Sequence, residues 1–202
     1  MIDIVLDLGG VLLNHNMPEC IRRFKLILGD NYPRLGLTVS GEGTDLDLMH
    51  QYEAGMVTTD YFIAQIIAWG KPGTTESDVR QAWLAMHDSI PLRRLEHIRH
   101  LREMGYKLYL LSNNNEMHWQ STTQRYGLPD YFDKVFLSQI IHSCKPDKTI
   151  YETLIAETNV RPGNTVFVDD VAENRQTGES FGWKTFATLE ALMESIDSKQ
   201  IV

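Results

Sequence analysis

The sequence predicts an α/β fold, a Rossmann-like parallel sheet with helices on both faces and an inserted helical cap. Short β-branched apolar runs recur and alternate with segments of helical periodicity, the pattern of a parallel sheet covered on both sides. Between about Asn14 and Ser89 the alternation stops, and helical patterns follow one another without a convincing strand between them. The apolar runs also end in polar residues capable of chemistry, where an open parallel sheet binds its ligands.

Residues 2–8 (IDIVLDL) read as a buried strand that delivers Asp7 to a turn at Gly9-Gly10. In the inserted region Phe62, Ile63, Ile66 and Ile67 share one helical face, and Thr75 with Asp78 matches a capping box ahead of Val79, Trp83 and Met86. The loop Gly41-Glu42-Gly43 and the turn Gly70-Lys71-Pro72-Gly73 separate its helices. Leu95, Ile98, Leu101 and Met104 then form an apolar stripe closed by Gly105, leading into a second strand, Lys107–Ser112. Lys134–Ser138 reads as a third strand and Thr165–Asp169 as a fourth, with a helix carrying Ile150, Tyr151, Leu154 and Ile155 between them. A weaker fifth run is Lys184–Ala187. The expected division is an α/β core of residues 1–13 and 90–202, discontinuous in sequence, with a helical cap at 14–89.

With 202 residues, 43% hydrophobic and 23% charged, the chain can bury a core as one soluble domain carrying a modest insertion. Its 27 acidic and 19 basic residues give a dispersed net charge of -8, so the basic footprint that nucleic acid requires is missing. Cys20 and Cys144 are too few for a disulfide framework and stand in no metal-ligand spacing, which favours a reducing, cytoplasmic setting. The start MIDIVLDLGG lacks the basic region of a signal peptide. No apolar run approaches the roughly 20 residues of a membrane span, so no membrane partner is expected.

Beyond the strand ends stand Asp7, Ser112 and Asp169-Asp170, with Lys145 in the loop after the third strand. A carboxylate nucleophile attacking an anionic phosphoryl group needs a divalent cation, a lysine, and hydroxyl or backbone N–H donors around the phosphate. Two carboxylates from different strands can hold Mg²⁺ through oxygen while leaving positions for water and substrate. Each residue also has a plainer reading. Asp7 can be a turn former, Asp169-Asp170 can cap the next helix, and Lys145 can be a solvated lysine in an exposed loop. Ser112-Asn113-Asn114-Asn115 is rich in N-cap residues, and a helix N-terminus binds anions in any case. His118 and His142 read as surface or loop histidines, and no histidine pair has zinc spacing.

Asp7-Leu8-Gly9-Gly10-Val11-Leu12, Leu110-Leu111-Ser112-Asn113, Lys145-Pro146-Asp147 with Ile150-Tyr151, and Phe167-Val168-Asp169-Asp170 with Asn174 resemble, in that order, the four motifs of the haloacid dehalogenase superfamily. The resemblance spans nearly the whole chain, with the inserted helices in the place of the family's small cap. The first motif is similar to that of the Asp-Leu-Gly-x-Val group, which includes sugar-1-phosphate phosphatases; Met49-His50-Gln51-Tyr52-Glu53-Ala54-Gly55 is similar to a cap stretch there. What the resemblance implies is a Mg²⁺-dependent phosphatase acting on a small phosphorylated metabolite through an aspartyl-phosphate. It makes Asp7 the nucleophile and a metal ligand, Asp170 the second carboxylate ligand with Asp169 beside it, and the Gly9 carbonyl the remaining protein ligand. Ser112 and the Asn113 backbone would hold phosphate oxygens, Lys145 would neutralise Asp7 and the phosphate, and Asn174 would orient the surroundings of the metal.

Gly9 departs from the family pattern. Most phosphatases of the superfamily carry there a second Asp that acts as general acid and base, help worth roughly 10²–10⁴ in rate. Its loss is felt least by anomeric, acyl or aryl phosphates, so sugar-1-phosphates are expected to turn over faster than 6-phosphates. His15 is a candidate substitute, and Gly9 is expected to sit at positive φ. Tyr52 and Glu53 are candidate substrate contacts. Two rival functions remain: a haloacid dehalogenase, in which the Asp169-Asp170 pair would have no metal to bind, and a non-catalytic member that only binds a phosphorylated ligand, which retention of Asp7, Lys145 and both later carboxylates opposes.

Overall fold

The computed structural model describes residues 2–36 and 48–199; the Gly41-Glu42-Gly43 loop lies outside them. Five strands, β1 (Asp3–Leu6), β2 (Lys107–Ser112), β3 (Lys134–Leu137), β4 (Thr165–Val168) and β5 (Lys184–Phe186), form one sheet in the order β3-β2-β1-β4-β5. Every neighbouring pair is parallel. The helices are α1 (Met17–Leu28), α2 (Leu48–Glu53), α3 (Thr59–Trp69), α4 (Glu76–Leu84), α5 (Leu92–Glu103), α6 (Glu116–Tyr126), α7 (Ser138–Ile141), α8 (Lys148–Thr158), α9 (Ala172–Ser180) and α10 (Leu189–Asp197). Each strand falls within its apolar run, and the α/β fold with a parallel sheet is as the sequence predicts.

Alternation along the strands sorts their side chains onto two faces. Ile4, Leu6, Leu108, Leu110, Val166 and Val168 pack with Leu95, Ile98 and Leu101 of α5 and with Leu189, Leu192 and Ile196 of α10. Val5, Tyr109, Leu111 and Phe167 point the other way, into a cluster with Ile150, Tyr151 and Leu154 of α8. Burying each such side chain contributes about 1.5–3 kcal/mol, so both faces must be covered for the sheet to persist. The α5 stripe is one residue shorter than the sequence suggests. Met104 is the C-cap and 47% exposed, and Gly105 takes the left-handed conformation (φ 87°) that ends the helix.

Helices α1 to α4 bury a core of their own, in which Phe24, Leu28, Tyr52, Phe62, Ile66, Val79 and Trp83 meet Met117 of α6. The expected capping box starts α4: the Thr75 side chain accepts from the Asp78 backbone N–H, and the Asp78 carboxylate accepts from that of Thr75. The chain runs into this helical region and back through two extended segments that pair antiparallel, His15 opposite His87. Asn14 N–H donates to the Ser89 carbonyl (2.8 Å), Asp88 N–H to the Asn14 carbonyl (3.0 Å), and Asn16 N–H to the Met86 carbonyl (2.7 Å). No sequence pattern announced this pairing, because it is one bridge long. Among the described residues no helix is long and apolar enough to cross a membrane.

Candidate active site

Strand register aligns Leu6 of β1 with Leu110 on one side and Val168 on the other, so Asp7, Ser112 and Asp169 emerge together at the carboxyl edge of the sheet. The order β3-β2-β1-β4-β5 makes β1 the strand from which connections diverge in opposite directions, the switch point where α/β sheets bind ligands. Carboxylate oxygens of Asp7, Asp169 and Asp170 all come within 4.8 Å of one another there.

Lys145 closes this group from below. Its Nζ lies 2.8 Å from Asp7 Oδ1 and 2.6 Å from Asp169 Oδ2, with the lysine side chain only 1% exposed. The plainer reading of Lys145 as a solvated lysine does not hold: it is buried, because the carboxylates brought to it from two strands compensate its charge. Burial opposes that charge, and Asp169 and Asp7 outweigh it, holding the ammonium above the ordinary lysine value. Burial pushes the Asp7 carboxyl above the usual range, with Lys145 pulling it back. Asp170 is raised by burial and then by Asp169.

Asp169 and Asp170 have different surroundings. Asp169 is fully buried and accepts from Lys145, from the Val171 N–H (2.9 Å) and from Asn174 Nδ2 at both oxygens (3.0 and 3.1 Å). Asp170 is exposed and lines the cavity above, its carboxylate against the Cα of Gly10. Gly10 is at φ 70°, and a Cβ there would lie 2.1 Å from Asp170 Oδ2, so the turn after β1 requires glycine on both counts. Neither aspartate caps α9, whose N-cap is Val171. Asn174 is itself held by Tyr151, whose hydroxyl donates to the Asn174 carbonyl (2.9 Å). Arg175, which sequence reading passed over, donates through Nη1 to the carbonyls of Asp169 (2.7 Å) and Asp170 (2.9 Å) and fixes their loop.

Ser112 ends β2 and lines the same cavity of about 370 Å³. Asn113 ties its loop to that of Lys145 through paired bonds, Nδ2 to the Lys145 carbonyl (2.9 Å) and the Lys145 N–H to Oδ1 (2.7 Å). Asn115 is the N-cap of α6, as its residue type suggests. His118, expected at the surface, is 2% exposed: its Nε2 lies 2.9 Å from the Trp83 carbonyl and its ring stacks on Trp83 and on His87 (centroids 4.9 and 3.9 Å). Burial holds His118 down at about 4. His142 is exposed, as expected.

Gly9 is not at positive φ. What it accommodates is His15, whose Cε1 and Nε2 would stand 2.4 and 2.5 Å from a Cβ at that position. The imidazole covers the face of the turn from which a second aspartate would project. Of the two candidate substrate contacts, Glu53 lines the cavity and Tyr52 does not; the Tyr52 hydroxyl bonds Thr59 Oγ1 (2.8 Å) and the Met117 N–H (3.2 Å) inside the helical core.

The family model described as haloacid dehalogenase-like hydrolase matches residues 4–182. The chain belongs to the haloacid dehalogenase-like hydrolases. D-ribitol-5-phosphate phosphatase of Bacteroides thetaiotaomicron is 32% identical over 191 residues, 91% of this chain and 90% of the relative. A sesquiterpene phosphatase of Aspergillus oryzae is 24% identical, covering 98% of this chain and 95% of its own. Among solved structures, a haloacid dehalogenase family enzyme of B. thetaiotaomicron in complex with magnesium and inorganic phosphate superimposes with a TM-score of 0.82 at 26% identity, over 92% of this chain and 93% of that one.

Proposed function

We propose that this chain is a Mg²⁺-dependent phosphatase that hydrolyses a small sugar or alditol phosphate through an aspartyl-phosphate on Asp7. The observation that carries the reading is the convergence of three carboxylates, two of them paired with one buried lysine, at the switch point of the sheet. In the same reading, residues 14–89 are the cap and 1–13 with 90–202 the catalytic core. The relatives named as phosphatases, and the one solved with magnesium and phosphate, support it.

The donor set suits a hard divalent cation, since three carboxylates face one ammonium and offer only oxygen. Asp7, Asp170 and the Gly9 carbonyl would hold it, while Asp169, engaged by Lys145 and Asn174, steadies the lysine. When bound, Mg²⁺ neutralises the repulsion between the Asp7 carboxylate and the phosphate dianion. A carboxylate oxygen of Asp7 would then bond to phosphorus as the ester P–O bond breaks, the departing oxygen taking its proton from water. Water attacks the phosphorus of the acyl phosphate in the second step, freeing inorganic phosphate and restoring Asp7. Ser112 and backbone N–H groups after β2 take the phosphate oxygens, and Lys145 balances charge throughout.

A dehalogenase shares the aspartate nucleophile but needs no metal, so the carboxylate cluster of Asp7, Asp169 and Asp170 favours the phosphatase. The named ribitol 5-phosphate is a primary alkyl ester, the class that the missing acid at Gly9 ranks as slow. Single-turnover rates on matched 1- and 6-phosphates of one sugar test that ranking. For the reaction class, para-nitrophenyl phosphate with and without Mg²⁺ is the test. Asp7→Asn should abolish its hydrolysis while the melting temperature holds, because Asp169 still pairs with Lys145. Turnover that survives this change, or that ignores chelation, would refute the reading.

A further inference from the structure

We propose that Glu53 selects the substrate, accepting hydrogen bonds from the hydroxyl groups of a polyhydroxylated phosphate ester held at Asp7. The proposal rests on the phosphatase reading above. Glu53 ends α2 and lines the cavity that Asp7, Ser112 and Lys145 also line. Its carboxyl makes no hydrogen bond or ion pair with another described residue, unlike Asp7 and Asp169. The rest of the helical-region wall is Met17, Met49 and Met86, which conform to a ligand without specifying its polar groups, with His15 and His87, whose rings stack on each other, so Glu53 is its one carboxyl.

The backbone that carries Glu53 is fixed to the core. Ser138 Oγ at the start of α7 donates to the Glu53 carbonyl (2.5 Å), and His142 Nδ1 lies 3.2 Å from the carbonyl of Ala54. Gly55, at φ 65°, passes so close to α7 that a Cβ would stand 2.2 Å from the Gln139 carbonyl oxygen. Tyr52 points into the helical core and anchors the same turn from the other side. The backbone beneath the carboxyl is thus fixed before any ligand arrives, which limits where the side chain can reach.

A substrate whose leaving group is a hydrocarbon chain would cover this carboxyl without offering it a donor, leaving a polar group desolvated and unpaired. A chain of hydroxyls would supply donors to the Glu53 carboxylate and an acceptor to its acid form, both present near neutrality because burial pushes the carboxyl up to about 7, and the bonds to the charged form are the stronger kind. Sites built to bond a hydroxyl reject analogues that lack it far more strongly than apolar pockets reject an added one.

The test compares a pentitol 5-phosphate with pentyl phosphate, under Mg²⁺, for the wild type, Glu53→Gln and Glu53→Leu. The wild type should prefer the pentitol ester in kcat/KM. Glu53→Leu should reduce that preference by roughly 10–100-fold, the effect of one charge-assisted hydrogen bond, and chiefly through KM. Glu53→Gln keeps the shape and one acceptor oxygen and should fall between, so it serves as the control if the leucine variant folds poorly. An unchanged preference in both variants, or a wild type that prefers pentyl phosphate, overturns the assignment of Glu53. Failure of the wild type to hydrolyse either ester or para-nitrophenyl phosphate overturns the phosphatase reading instead, so the two failures are distinguishable.

Discussion

At the scale of single residues, Lys145 compensates two buried carboxylates with one charge. Lys145→Met should therefore do more than slow the reaction by a factor on the order of 10²–10³. In chelator it should also lower stability by about 3–5 kcal/mol, because Asp7 and Asp169 are left buried without a counter-charge. Thermal melts with EDTA and with Mg²⁺ would show it, and an unchanged melting temperature in EDTA would contradict this charge balance. Gly9 poses a steric question rather than a backbone one. Gly9→Asp should lose stability and gain nothing on 6-phosphates, since its Cβ meets the His15 ring at 2.4 Å. Adding His15→Ala should recover the melting temperature. Lys145 and Gly9 were legible as candidates from their motifs; the burial of one and the covering of the other were not, since both depend on a partner from another segment.

At the scale of elements, the short helix α7 joins two loops of the site. Ser138 Oγ accepts from the Asn114 N–H (2.9 Å), in the loop after β2, and donates to the Glu53 carbonyl (2.5 Å) at the end of α2. Ser138→Ala leaves a buried N–H without its acceptor, which should cost about 1–3 kcal/mol in urea unfolding. A variant as stable as the wild type would mean that water replaces both bonds. The five strands were legible because period-2 alternation and turn residues are local signals. The pairing of 14–16 with 86–89 was not, since it brings together chain ends that only the intervening helices determine.

For the whole molecule, the stacked rings of His15, His87, His118 and Trp83 run from the strand-end turn into the helical region and make stability pH-dependent. His118 sits at about 4 when folded, below the ordinary histidine value of 6.5, so between these values the unfolded chain binds more protons. Its neutral burial stabilises fully above pH 6.5 and is lost as pH falls towards 4. By pH 5 the loss should reach about 2 kcal/mol, and burial with the neighbouring His118 charge moves His87 the same way. Melts from pH 7.5 to 5 should slope downward in the wild type and less so in His118→Gln; a flat wild-type profile would contradict it. The sequence by itself determined the strand–helix alternation, the interruption at 14–89 and which polar residues end the strands, because periodicity, caps and turns are written within a few residues. Only the tertiary structure decided that Lys145 is buried, that Asp169 takes its charge while Asp170 faces the cavity, that His15 covers Gly9 and that Glu53 has no partner among the described residues. Each is a property of residues far apart in the chain, and the environment of a charge is set by whatever the fold brings against it.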